Sequence, residues 1–247
     1  MARTFTSEII SEAATACPLA PVDAGISYPS FMPLDDFIDV ERLRSLHDLL
    51  TERIKEHMVG ASLDYFVNEH RLHPNEPYRP GTREIWLSRT LPGTPYNYLD
   101  LDRPDRWRTS ADLVTKFGPL IEFIATLPFS ATGRMLIIYD DSGAAVPAHR
   151  DHTDTSICNE FIWMRTNFDK PFYLLNAETT EKKYVDSYTA WFDSVNQFHG
   201  CDAADGLTFS IRVDGVFTDE FRKQISKPTA NRASTPSLWA CTRRDRR

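Results

Sequence analysis

The second half of the chain is a succession of short apolar runs cut by turn residues, and no other feature limits its fold so tightly. The runs fall at 134–139, 145–152, 160–167, 171–175, 183–188, 189–192 and 208–217, with an earlier one at 84–90. They are rich in aromatic and β-branched residues, which suit the pleated, half-buried surface of a sheet. Between them stand turn signals such as Asp140-Asp141-Ser142-Gly143 and Asp205-Gly206, where Asp and Gly accept backbone conformations that strands exclude. Helical spacing is confined to the first half. Phe37, Val40, Leu43, Leu46, Leu50 and Ile54 predict one helix over 34–58, and Leu113, Phe117, Leu120, Ile121, Ile124 and Leu127 a second over 111–127. Ser110 stands where its hydroxyl can cap the second helix, and Pro119 interrupts it by lacking an N–H. Helices first and strands after is the order of an α+β domain whose helices buttress an antiparallel double sheet.

With 247 residues and 41% hydrophobic content, the chain can bury one sizeable core. No repeat or low-complexity linker divides it, so a single domain over 34–225 is expected. Residues 1–33, rich in Ser, Ala and Pro, are expected to be irregular, and 226–247 to form a flexible tail. A formal net charge of −7 argues against a nucleic-acid binder, which needs a basic surface to neutralise phosphates. No stretch is apolar for long enough to span a bilayer, so no membrane partner is expected. The N-terminus carries two glutamates and no unbroken apolar segment, unlike a secretory signal. Cys17, Cys158, Cys201 and Cys241 are scattered without a C-x-x-C pair, which suits reduced thiols in a cytoplasmic protein. Oligomeric state is not written in the sequence.

The chemistry concentrates in "VPAHRDHTDT", 146–155, where two His-x-Asp triplets overlap in a chain with seven histidines. Residues two apart on a strand share a face, so His149 and Asp151 can enter one cavity while Arg150 points away. His152 and Asp154 offer the other register; the Val-Pro-x-His-Arg-Asp sequence closing a strand favours the first. "AWFDSVNQFHG", 190–200, supplies His199 as a third ligand. Two imidazoles and one carboxylate on one face of an ion form the facial triad of non-haem Fe(II) oxygenases, whose other face takes cosubstrate and dioxygen. Further on, "TFSIRVDG" places Arg212 inside an apolar strand, with Ser210 on the same face. A guanidinium fork matches a carboxylate in two hydrogen bonds. Arg212 is therefore expected to anchor an anionic cosubstrate, with Ser210 able to donate a further hydrogen bond; the alternative is an ion pair with Asp214.

These segments resemble the 2-oxoglutarate- and Fe(II)-dependent oxygenases, and among them look most like the aspartyl/asparaginyl β-hydroxylase and proline hydroxylase-like branch. The resemblance rests on "VPAHRD" (146–151), "EFIWMRTNFDKPFYLL" (160–175), "AWFDSVNQFHG" (190–200) and "SIRVDG" (210–215), and covers about 134–217. It implies a double-stranded β-helix, the cupin-like jelly roll, with its metal at the open end, held by His149, Asp151 and His199. It implies Fe(II), 2-oxoglutarate and O2 as cofactors, with ascorbate in a supporting part. The implied reaction hydroxylates a substrate C–H bond while 2-oxoglutarate becomes succinate and carbon dioxide. With Asp151 present, halogenation is not expected, because the family's halogenating members carry a small residue there. Arg165 sits where the family has a second arginine facing a carboxylate, though a surface salt bridge explains it as well.

The N-terminal half matches only in general character. "YRPGTREIWLSRTLPGTPYNY", 78–98, could wall the substrate pocket with Arg79, Arg83, Trp86, Arg89, Tyr96 and Tyr98, or be an ordinary hairpin. Arg83, Trp86, Tyr98 and Trp163 are the candidate substrate contacts. His47, His57, His70 and His73 have no matching carboxylates and are expected at the surface. The expected substrate is a small molecule, a free amino acid or a metabolite derived from one. The same iron centre could instead desaturate, cyclise or epimerise, and a cupin-like metal isomerase or hydrolase is the reading from another class. No G-x-S-x-G elbow supports a serine hydrolase.

Overall fold

The computed structural model describes residues 30–59, 82–109, 111–154 and 158–225. Eight strands carry the fold: β5 (Phe129–Asp140), β6 (Val146–His149), β7 (Phe161–Met164), β8 (Phe172–Leu175), β9 (Lys182–Tyr184), β10 (Thr189–Phe192), β11 (Phe198–Cys201) and β12 (Thr208–Phe217). Four of them, ordered β10-β7-β12-β5, form the centre of a larger sheet, and the other four, ordered β6-β11-β8-β9, form a smaller one. Every pairing is antiparallel. A chain that crosses between two antiparallel sheets in this order is a jelly roll. β1 (Phe31–Pro33) and β2 (Thr82–Trp86) extend the larger sheet beyond β10 and β5. β3 (Ser88–Thr90) pairs separately with β4 (Trp107–Thr109).

β12 shows how alternation divides two environments. Ile211 and Val213 are fully buried in the core that also takes Leu43, Leu50 and Ile54 of the early helices. Arg212 lies between them in sequence, and its side chain faces the cavity between the sheets with those of Thr208 and Ser210. The helices lie on the outer side of the larger sheet, where the His47 ring stacks on Phe209 at 5.5 Å.

The predicted strand positions are occupied, with several corrections. Residues 31–33, expected to be irregular, form β1 because Phe31, Met32 and Pro33 pair with Phe192, Trp191 and Ala190. The run 84–90 is two strands, and three runs are shorter than expected: β6 stops at His149, β7 at Met164 and β9 at Tyr184. The helix expected over 34–58 is instead a 3₁₀ turn at Asp35–Phe37 followed by α1 (Val40–Ser45) and α2 (His47–Val59). Asp39 sets the first break, since its carboxylate accepts from the Arg42 N–H and caps α1 there. Asp35 is drawn away to accept from the Tyr188 and Thr189 N–H groups. Over 111–127 the structure has α3 (Ala111–Lys116) and α4 (Gly118–Ile124), with Pro119 in the first turn of the second, where its missing N–H costs nothing. A last helix, α5 (Asp219–Ile225), follows β12. His57 is a further correction: it is buried on α2, not at the surface. Ser110, His70, His73 and Arg79 lie outside the described residues.

Candidate metal centre

β6 and β11 are neighbours, and His149 pairs directly with His199. The two rings stand 4.4 Å apart between centroids. Gly200 makes this approach possible, because a Cβ there would lie 2.6 Å from both the Tyr173 hydroxyl and the Val146 carbonyl. Asp151, just past β6, is tied back by its N–H donating to the Ser194 carbonyl at 2.8 Å. The loop before β11 is held by Asp193, whose carboxylate accepts from the backbone and side-chain N–H groups of Asn196. That is what the polar "DSVNQ" of the distal segment does.

Each imidazole has its Nδ1 beside a carbonyl oxygen, Pro147 O at 2.9 Å for His149 and Gln197 O at 3.0 Å for His199. A carbonyl can only accept, so Nδ1 carries the proton and, in a neutral ring, Nε2 presents a lone pair. Both Nε2 atoms turn toward Asp151 Oδ1, at 3.7 Å from His149 and 3.3 Å from His199. One donor atom from each of the three residues lies within 4.8 Å of the others. Three lone pairs facing one another in a nearly buried site repel unless a cation shares them, and two nitrogens with one oxygen are a donor set for a divalent transition metal.

The other triplet does not join. His152 Nδ1 accepts from the Asp154 N–H at 2.9 Å, its ring stacks on Tyr98 at 4.9 Å, and Asp154 is exposed. Arg150 points away, its guanidinium 5.1 Å from the Phe198 ring centre.

The site opens into a cavity of about 280 Å³ between the sheets. Leu136, Ile138, Val146, Trp163, Phe172 and Phe192 give it apolar walls, and Ser210, Tyr98, Arg165 and Arg212 also line it. The two arginines differ. Arg212 donates to Asp151 Oδ2 at 2.7 Å and to Asp214 Oδ1 at 2.9 Å, with its guanidinium 3.9 Å above the Phe161 ring centre. Burial opposes its charge, but Asp214, Tyr98 and Asp151 outweigh that and hold its pKa raised. In this structure, then, the guanidinium expected to grip a cosubstrate is committed to carboxylates, including the Asp214 partner foreseen as the alternative.

Arg165 is buried, and among the described residues it has no carboxylate partner. It donates to two main-chain carbonyls, Ser187 at 3.0 Å and Val185, and lies 4.1 Å from the Phe168 ring centre. Burial pushes its pKa down to about 10. It is not the surface salt bridge that its position also allowed.

Of the candidate substrate contacts, Trp163 lines the cavity and stacks on Phe172 at 4.6 Å. Tyr98 lines it too, with its hydroxyl 3.4 Å from Ser194 Oγ and its pKa raised by burial and then by Asp151. Arg83 and Trp86 do not line it. Arg83 pairs with Tyr139 in the β2–β5 register, one residue out of phase with the cavity-lining Thr82 and Glu84. Trp86 packs in an aromatic cluster with Tyr96 and Trp107, its indole N–H donating to Glu84. Sequence reasoning missed Arg134, which lines the cavity and donates to Asp214 Oδ2 at 2.9 Å. Its phase with Leu136 and Ile138 was the available signal.

No family model and no curated protein sequence matches this chain. Solved structures do. A prolyl hydroxylase from Trichoplax adhaerens, in complex with a hypoxia inducible factor oxygen degradation domain peptide, is 11% identical with a TM-score of 0.44, covering 81% of this chain and 88% of that one. A Pseudomonas putida prolyl-4-hydroxylase is 14% identical at 0.42, over 77% and 94%. A full-length Neurospora crassa protein in complex with alpha-KG is 8% identical at 0.42, over 76% and 75%. Likeness at this level leaves the assignment to the chain's own side chains. No helix among the described residues is long and apolar enough to cross a membrane.

Proposed function

We propose that this chain is a 2-oxoglutarate-dependent non-haem Fe(II) dioxygenase that hydroxylates an unactivated C–H bond of a small substrate, a free amino acid or a metabolite derived from one. The observation that carries the reading is the convergence of His149 Nε2, His199 Nε2 and Asp151 Oδ1 at the wall of a cavity that also holds a buried guanidinium with no carboxylate partner among the described residues. Bound there, iron with 2-oxoglutarate and O2 would supply the oxidising chemistry, giving succinate, carbon dioxide and the oxygenated product.

The residues divide the remaining work. Pro147 O and Gln197 O fix the ring tautomers so that both Nε2 atoms face one point. Asp151 offers Oδ1 alone, because Oδ2 is taken by Arg212. Arg165 is the group we assign to a cosubstrate carboxylate: a buried cation is costly without a counter-charge, and a dicarboxylate with one end at the metal brings one. Ser210, on the cavity face, can add a hydrogen bond. The apolar walls exclude water from the reacting C–H bond, and Tyr98 and Trp163 are positioned to contact the substrate.

The test is oxygen-dependent conversion of 2-oxoglutarate to succinate by the Fe(II)-loaded protein, screened against amino acids and their derivatives, with product mass read alongside. A product heavier by one oxygen atom supports hydroxylation, whereas loss of two hydrogens or an unchanged mass moves the reading to desaturation, cyclisation or epimerisation. Absence of 2-oxoglutarate turnover across the panel contradicts it.

A further inference from the structure

Behind the metal centre four side chains of alternating charge form one buried line. Arg134 Nε donates to Asp214 Oδ2 at 2.9 Å, Arg212 Nε donates to Asp214 Oδ1 at 2.9 Å, and Arg212 Nη1 donates to Asp151 Oδ2 at 2.7 Å. Asp214 is fully buried, and both arginines are nearly so. The members come from β5, from β12 and from the end of β6, so the line ties the larger sheet to the metal-facing carboxylate.

A guanidinium 2.7 Å from Asp151 competes with a cation for the one negative ligand of the centre. Alone it would draw that charge away. Asp214 offsets it, since its carboxylate takes the other edge of the same guanidinium. Arg134 in turn draws on Asp214. With these side chains buried such contacts are weakly screened, so each change is felt one link further along.

We propose that Asp214 and Arg134 are positioning residues that set how much negative charge Asp151 presents to a divalent cation, with opposite signs. Asp214 pulls Arg212 back and strengthens metal binding. Arg134 holds part of Asp214's charge and weakens it. The proposal rests on the metal-site reading above.

The experiment is titration of the metal-free protein with Mn(II), followed by the paramagnetic signal of the unbound ion, with the melting temperature of each metal-free variant measured in parallel. Asp214→Asn should weaken Mn(II) binding roughly 10–100-fold, the range for outer partners of metal ligands. Arg134→Gln should tighten it several-fold, even if the metal-free protein melts lower. A purely structural role predicts weaker binding for both. If Asp214→Asn does not fold, Arg134→Gln decides alone: tighter binding supports the proposal, and unchanged or weaker binding overturns it. Wild-type protein that binds no Mn(II) overturns the metal-site reading along with it. Wild-type binding that both variants reproduce overturns only the role given to the line.

Discussion

The two ends of the cavity hold the same kind of side chain under opposite conditions. At the metal end Arg212 is locked between Asp151 and Asp214, and Asp214 is shared with Arg134. At the other end Arg165 donates to two main-chain carbonyls and lies over the Phe168 and Trp163 rings, with no carboxylate bonded to it among the described residues. A buried charge with partners belongs to the architecture, because removing one partner strands the other. A buried charge held by neutral dipoles keeps its demand for an anion, which is why the proposal gives the cosubstrate carboxylate to Arg165 and not to the arginine that already has partners.

That contrast can be broken most forcefully at Asp214. Asp214→Ala leaves two guanidinium groups without their shared carboxylate and should destabilise the protein by about 3–5 kcal/mol, seen as a large drop in melting temperature. Arg165→Met should do the reverse, leaving the metal-free protein as stable as wild type or more so. Its cost appears instead in the KM for 2-oxoglutarate, which should rise roughly 10–100-fold for the loss of about 1.5–3 kcal/mol of charged hydrogen bonding. If Arg165→Met melts as low as Asp214→Ala and binds 2-oxoglutarate normally, the distinction between the two ends fails.

A smaller effect sharpens the metal end. Burial, with Asp214 nearby, raises the Asp102 carboxyl to about 6 from its ordinary 3.8. A carboxyl raised in the folded state favours the protonated form. The stability it contributes is therefore full below about pH 4 and is lost as pH rises through 6. Asp102→Asn, which mimics the neutral form, should raise the melting temperature by a few degrees at pH 8, at roughly 2–4 °C per kcal/mol. At pH 4 it should change little, and an equal gain at both pH values would remove the charge of Asp102 from the account. Smallest of all, Arg83→Ala should leave 2-oxoglutarate affinity within about two-fold, as a change away from the cavity does.

The same two ends show what was legible in the sequence. The His149–Asp151–His199 set could be read from residue chemistry and order along the chain, although Asp151 lies just past β6 and is held by Ser194. The runs pointed to an antiparallel double sheet, and the jelly roll was implied only by the family resemblance. The charge line could not, because Arg134 and Asp214 meet only through the register that sets Arg212 opposite Leu136 on β5. The bond from Arg212 to Asp151 was equally hidden, because it spans 61 residues of chain. β1 was invisible for another reason: three residues hold no periodicity, and Phe31–Pro33 becomes a strand only when β10 offers its edge. The positions of Arg83 and Trp86 outside the cavity lining were hidden differently. Both lie on a real strand, but Arg83 is out of phase with the cavity-lining residues, and Trp86 is drawn into packing against Tyr96 and Trp107.

The account stands on the imidazoles of His149 and His199 and the carboxylate of Asp151 holding one ferrous ion that 2-oxoglutarate can reach. Anaerobic addition of 2-oxoglutarate to the Fe(II)-loaded protein, followed by visible absorbance, tests this most directly. The wild-type protein should develop a charge-transfer band that saturates at one equivalent of iron, and His199→Ala should develop none. Wild-type protein that stays colourless at saturating iron and 2-oxoglutarate, or a His199→Ala band equal to that of wild type, would contradict it.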